Sequence, residues 1–229
     1  MKTIIVIPAR GNSKGIKKKN LINFSGKPLL YWTIAQAKKT KFKKYIYVSS
    51  EDEKILNFSK QLGVNIIKRP LNLSKDNSSS ESAIKHVLHE LKFLPKNIIF
   101  LQATSPLRFP SDIDNAFNKF KKQKLDSLFS CHQAEDYFDI WKKKKDIYVP
   151  LTIDYNKRKP RQFFREEHVC QNGSIYIFKT SLLLKKNNRI GGKINVFKMK
   201  EWQSFQIDAM DQKKTLENLF NFYLKKFYK

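Results

Sequence analysis

The residues best placed to do chemistry stand close to the amino terminus. From position 10 to position 20 the chain reads Arg-Gly-Asn-Ser-Lys-Gly-Ile-Lys-Lys-Lys-Asn. Arg10, Ser13 and Lys14 supply charge and hydrogen-bond donors, while Gly11 and Gly15 let backbone N–H groups turn inward towards an anion. Such a loop grips phosphate. An apolar run at 4–7 ends at Pro8, immediately before it. The loop is therefore predicted to leave the carboxyl end of a first, buried strand, where open α/β sheets bind their ligands. Neither Gly-x-x-x-x-Gly-Lys-Ser/Thr nor Gly-x-Gly-x-x-Gly occurs, so this is neither of the commonest phosphate cradles. Read in isolation, a basic loop after a strand is equally a solvated turn.

Other chemistries find less support. His86, His89, His132 and His168 show no metal-ligand spacing with Cys131 or Cys170, and nothing resembles a Ser-His-Asp arrangement. The four histidines read as surface or packing residues. Two cysteines without a framework pattern suit a reduced, cytoplasmic protein.

The elements that must position the loop alternate between strand and helix, which predicts βαβ units and a mainly parallel sheet. Residues 3–8 form the first strand. Pro28 suits a first helical position, with Leu29, Leu30, Thr33, Ile34 and Ala37 forming an apolar stripe behind it. A second strand at 45–48 is followed by a helix over about 52–62. Gly63 stops that helix, and a short strand follows at 64–67. The polar stretch 75–80 leads into a helix at 81–91, and a buried strand spans 97–102. Ser111 or Asp112 can cap the next helix, and 126–131 is a further strand. Residues 132–168 are aromatic, charged and irregular, an excursion serving as lid or dimer contact. The core resumes with a strand at 173–178. A final helix is predicted from Asp211, with Leu216, Leu219, Phe220, Tyr223, Leu224 and Phe227 on its apolar face.

At 229 residues and 41% hydrophobic content, the chain can bury a proper core as one domain spanning 1–229. No run reaches the length of a membrane span, and the first residues read as strand rather than leader. The formal charge of +26 raises the alternative of a nucleic-acid binder. Its distribution argues against that: lysines such as Lys38, Lys39, Lys121, Lys122, Lys225 and Lys226 are spread over the outer faces of helices, with no basic tail. The charge would help attract an acidic substrate, within a screening distance of about 8–10 Å.

The Arg10–Asn20 loop, with Pro8-Ala9 before it, resembles the signature loop of sugar-activating nucleotidyltransferases. It is most similar to that of the acylneuraminate cytidylyltransferases, which make CMP-sialic acid and CMP-activated relatives. The resemblance implies a three-layer α/β sandwich with a mainly parallel sheet, like the nucleotide-diphospho-sugar transferase fold. It also implies that Arg10, Ser13 and Lys14 hold the triphosphate of CTP and that Asn20 touches the nucleotide.

Four further segments extend the resemblance to about residue 217. Arg69-Pro70-x-x-Leu73-x-x-Asp76, with Ser78 and Ser80, resembles the loop that grips cytosine; a family Ala stands where this chain has Ser78. Any one of these residues could instead belong to a plain polar turn before a helix. Residues 101–108, Leu-Gln-Ala-Thr-Ser-Pro-Leu-Arg, depart from the family octapeptide only at Ala103, and imply that Gln102 faces the acceptor sugar. For Arg108, phosphate contact and a structural role both remain open. Arg161 would hold the sugar carboxylate, since a guanidinium fork suits it, although Phe163-Phe164 replaces the usual Leu-Pro. Asn172 and Tyr176, in Asn-Gly-Ser-Ile-Tyr, would line the sugar or ribose pocket, and a strand tyrosine is otherwise core.

The last segment is Phe205-Gln206-Ile207-Asp208. The family carries Asp-x-Asp here for magnesium; this chain keeps Asp208 and places Gln206 first. One carboxylate is compatible with magnesium, which fills its shell with phosphates and water. Asp211 is either a substitute ligand or the cap of the last helix. The reaction implied joins CTP to an acidic nine-carbon 2-keto sugar, with Arg10, Lys14 and Asp208 catalytic and a homodimer as the working unit. The alternatives are a Kdo-type or other sugar nucleotidyltransferase, and a nucleic-acid binder on a transferase scaffold, which Gln206 would favour.

Overall fold

Ile4, Ile5, Val6 and Ile7 are all completely buried, as a strand must be when both faces of its sheet are covered. They lie in β1 (Thr3–Pro8). The computed structural model describes residues 2–12, 15–133, 140–152, 154–157 and 168–228. After β1 come the short strands β2 (Asn23–Phe24) and β3 (Lys27–Pro28), then α1 (Leu29–Lys38), β4 (Ile46–Ser50), α2 (Glu53–Gln61), β5 (Asn65–Lys68) and α3 (Ser80–Glu90). The second half runs β6 (Asn97–Leu101), α4 (Asp112–Lys122), β7 (Ser127–Gln133), β8 (Trp141–Lys144), β9 (Ile147–Pro150), β10 (Val169–Lys179), α5 (Thr180–Lys186), β11 (Ile194–Lys198) and α6 (Met210–Tyr223).

Seven strands make one sheet in the order β11-β7-β10-β6-β1-β4-β5. Every pairing is parallel except the two made by β10, which runs antiparallel to both β6 and β7. Alternate side chains divide between two cores. Ile5 and Ile7 pack with residues of α1, α2 and α4; Ile4 and Val6 pack with residues of α3 and α5. Three layers result, each buried aliphatic side chain contributing about 1.5–3 kcal/mol. A third cluster joins Leu216, Phe220 and Leu224 of the α6 region to Phe24, Leu29 and Trp32.

Local signals explain most boundaries. Asp52 accepts hydrogen bonds from the N–H groups of Lys54 and Ile55 and so starts α2. Gly63, at φ +69°, ends it. Ser79 caps α3 through Ser82 N–H.

Several expectations are corrected. Pro28 stands one residue before α1 rather than in its first turn. Asp112 does not cap α4 through its own first turn; its carboxylate accepts from Phe109 N–H and from Gln203. The last helix begins at Met210, and its first turn is organised by Gln212, whose side-chain carbonyl accepts from the N–H groups of Asp208 and Ala209. Asp211 is therefore not the cap. α5 and β11 are not legible as elements: β11 is a half-buried edge strand with exposed ends and no clean alternation. Within 132–168 the described residues include a separate two-stranded hairpin, β8-β9. Among the described residues no helix is long and apolar enough to cross a membrane.

Candidate active site

The chain leaves the carboxyl ends of β1, β4, β5 and β6 close together, and a cavity of about 440 Å³ opens above them. Among the described residues Arg10, Lys19, Arg69, Lys75 and Arg189 line it, against two acids, Asp76 and Asp208. That imbalance suits a polyanion. It is local, so it means more for binding than the net charge of the whole chain.

The phosphate loop is anchored from behind. Gly11 N–H donates to Glu51 Oε1 at 2.7 Å, and Asn20 Nδ2 donates to the Arg10 carbonyl at 2.8 Å. A side chain at position 11 would meet Asp52 Oδ2 at 2.5 Å, and one at position 15 would collide with the Asp208 carbonyl, so both glycines permit close packing. Asn20 lines the cavity, and its Oδ1 is buried without a partner among the described residues. Ser13 and Lys14 lie outside the described residues.

Glu51 holds a second wall. Its other oxygen accepts from Arg69 Nη2 at 3.2 Å, and Arg69 Nε donates to Ser74 Oγ at 2.9 Å. Both side chains of the pair are under one-tenth exposed. Burial alone would raise the Glu51 pKa; bonds from its own N–H, Gly11 N–H, Ser74 and Arg69 outweigh it and hold the carboxyl below its usual value. Burial lowers the pKa of Arg69, and Glu51 opposes that shift. Beyond Arg69, Ser78 and Ser80 line the cavity with Asp76, and Ser78 Oγ donates to the Asn72 carbonyl.

Two ion pairs stand at the mouth. Arg10 Nη1 meets Asp76 Oδ1 at 2.8 Å, with both side chains well exposed. Lys19 Nζ meets Asp208 Oδ1 at 2.8 Å; the lysine is nearly buried, the aspartate 68% exposed.

Gln206 does not extend towards the mouth as a second carboxylate would. Its Oε1 accepts from Gln102 Nε2 at 3.0 Å and from Thr104 Oγ1 at 3.3 Å, and its Nε2 donates to the Asn172 carbonyl at 2.8 Å. Gly173, at φ +71°, admits this bridge: a Cβ there would stand 2.6 Å from Gln206 Nε2. Gln102 thus lines the cavity with its amide held. Asn172 lies behind the wall rather than on it, its Oδ1 accepting from Ser130 Oγ at 2.6 Å. Tyr176 is also buried, its hydroxyl accepting from Gln171 Nε2 and its ring packed on Phe100. Arg161 lies outside the described residues.

Arg108 is completely buried and serves the frame. It donates to Thr33 and Gln36 through Nη1 and to the carbonyls of Gln102 and Ser174 through Nη2. Burial pulls its pKa down, with Tyr228 and Asp112 opposing.

Sequence reasoning did not single out Lys19, Glu51 or Arg189 as site residues. Lys19 was visible within the loop, whereas Glu51 and Arg189 acquire their places through contacts 40 and 108 residues away.

This sheet order with a basic loop at its carboxyl edge is the nucleotidyltransferase fold. A CMP:2-keto-3-deoxy-manno-octonic acid synthetase complexed with CTP matches 98% of this chain and 100% of its own at TM-score 0.75 and 17% identity. A 4-diphosphocytidyl-2C-methyl-D-erythritol synthase from Anaerococcus prevotii matches 96% of each chain at TM-score 0.65 and 12% identity.

The chain belongs to the cytidylyltransferase family, whose model matches residues 4–229. N-acylneuraminate cytidylyltransferase A of Danio rerio is 32% identical over 208 residues, covering 89% of this chain and 47% of that protein. Post-translational flagellin modification protein B of Campylobacter coli is 29% identical over 217 residues, covering 90% and 89%. The chain spans about half the length of the N-acylneuraminate cytidylyltransferases it matches in Danio rerio and Streptococcus agalactiae.

Proposed function

We propose that this chain transfers CMP from CTP to the anomeric hydroxyl of an acidic nine-carbon 2-keto sugar of the sialic, legionaminic or pseudaminic type, releasing pyrophosphate. The observation that carries the reading is the cation-rich cavity at the carboxyl edge of the sheet, in a chain of the cytidylyltransferase family.

In this reading Arg10, Ser13 and Lys14 bind the triphosphate, and Arg10 and Lys14 stabilise the charge that develops on pyrophosphate as the α-phosphorus–oxygen bond breaks. Asn20 offers its unpartnered Oδ1 to a nucleotide hydroxyl. Arg69 and the turn carrying Ser78 and Ser80 grip the cytosine edge. Gln102 orients the sugar and Arg161 holds its carboxylate, so the anomeric oxygen attacks in line; most of the acceleration is positioning. Asn172 and Tyr176 support this wall from behind.

Asp208 fits a magnesium ion through its exposed carboxylate, with phosphate oxygens and water completing the shell. Magnesium bound there would neutralise phosphate charge. Gln206, engaged at both ends of its amide, is not part of that donor set. Lys19 already neutralises one oxygen of Asp208 and keeps the carboxylate facing the loop. A homodimer formed through 132–168 suits the exposed Trp141, Ile147, Tyr148 and Leu151 of and beside the β8-β9 hairpin. A cytoplasmic setting suits a CTP-consuming reaction.

An eight-carbon substrate is the second reading, supported by the fold shared with the octonic acid synthetase. The test is pyrophosphate release from CTP with magnesium across nine-carbon 2-keto sugars and Kdo. Release with a nine-carbon sugar, and not with UTP or ATP, is the expected result. Release with Kdo alone favours the second reading, and the absence of both turnover and CTP binding removes both.

A further inference from the structure

Arg189 follows α5 and has no role in the site as described so far, yet it lines the cavity. Its guanidinium lies over the Tyr176 ring, 4.4 Å from the centroid, and within 5.5 Å of Phe100. Glu81, at the start of α3, takes its Nη1 at 2.5 Å, and both side chains of that pair are mostly buried. The ring contacts and the carboxylate together restrain the guanidinium, so the arginine is held in place before any ligand arrives. A cation immobilised on a cavity wall has lost its rotamer freedom during folding and gives up less when it binds.

Its place along the sheet says which part of a ligand it meets. Phe100, in β6, and Gln102, one residue beyond its end, are alternate residues about 6–7 Å apart along an extended chain, and both line the cavity. Gln102 marks one end of this stretch and Arg189, over Phe100, the other. That span matches the width of a substituted pyranose. Gln102 and Arg189 line the same cavity, and Gln102 is the residue that meets the acceptor sugar in the proposed reading.

We propose that Arg189 is a specificity-determining residue of the acceptor end of the cavity, donating from its guanidinium to an oxygen-bearing substituent of the acidic sugar. The inference rests on the proposed function and deepens it. Glu81 is a positioning residue, and Tyr176 and Phe100 form the platform. An apolar side chain at 189 would make the same wall suit a methyl group; the arginine makes it suit a hydroxyl, an amide carbonyl or a second carboxylate.

The experiment is steady-state pyrophosphate release with the full chain, varying sugar and CTP separately, for the unsubstituted protein and for Arg189→Leu, Arg189→Lys and Glu81→Gln. Loss of a hydrogen bond to a charged group raises KM for the sugar about tenfold or more in Arg189→Leu, with KM for CTP unchanged. Arg189→Lys gives a smaller rise, and Glu81→Gln, which leaves the arginine present but less fixed, a smaller rise again in the same direction. A rise confined to CTP places Arg189 at the nucleotide and overturns the inference, as does an unchanged sugar KM in all three variants. If Arg189→Leu does not fold, the lysine and glutamine variants decide by the same criterion. Silence of the unsubstituted protein with every sugar overturns the proposed function and this inference together.

Discussion

The wall of the cavity and its mouth are built from the same kinds of charged group under opposite conditions. On the wall, Glu51 and Arg69 are buried and cross-linked to Gly11 N–H and Ser74. At the mouth, Arg10–Asp76 and Lys19–Asp208 each expose at least one partner to water. A buried pair cannot give up its partner without leaving an uncompensated charge, which costs several kcal/mol. An exposed pair is worth about 0–1 kcal/mol and exchanges partners readily. The wall is therefore preorganised framework, and the mouth is where groups trade a protein partner for a ligand.

The largest effect should come from the mouth, on rate alone. Asp208→Ala, and Lys14→Ala in the adjoining loop, should each lower the rate of pyrophosphate release by about 10²–10³-fold while the fold stays intact. Near-normal turnover in both purified variants would sink the mechanism. The wall should behave in reverse. Arg69→Ala strands the Glu51 carboxylate and should cost about 3 kcal/mol of folding stability, read from urea denaturation; a loss under 1 kcal/mol would mean that the pair is not structural.

A pH experiment sharpens the same contrast. The folded pKa of Glu51 is depressed, so its contribution is present above the ordinary carboxyl value of 4.5 and is lost as pH falls through the lower folded value. Melting temperature measured from pH 6 down to pH 3.5 should therefore drop less in Glu51→Gln than in the unsubstituted protein. Parallel curves would remove Glu51 from that account. The smallest effect is expected at Asp76→Asn, which releases Arg10: stability changes by under about 1 kcal/mol, and KM for CTP falls slightly. A marked rise in that KM would show that Asp76 binds nucleotide rather than restraining the loop.

Sequence disclosed the parts whose signals are local. The apolar run at 4–7, the glycine that ends α2 and the basic loop after β1 are each readable within a dozen residues. What it hid depends on distance. Arg108 stood open between phosphate and frame until Thr33, Gln36 and Ser174 were seen around it. Asp211 looked like a cap because acids cap helices; Gln212 does that work by reaching back to Asp208 and Ala209. The replacement of a carboxylate by Gln206 read as a defect in a metal site. In the fold it is a bridge among three segments, visible only when Gly173 and Gln102 come together.

β10 lies between β6 and β7 although it follows both in the chain. During synthesis the sheet therefore stays split until residue 179 has emerged, and Lys19 gains its partner only with Asp208, 189 residues later. A nascent chain that has already made its phosphate loop still lacks an acceptor wall, since Gln102 waits for Gln206. Premature termination at about residue 200 would preserve every strand of the sheet while removing the groups that close its edge. The site is thus closed only by contacts that the segment following the sheet supplies.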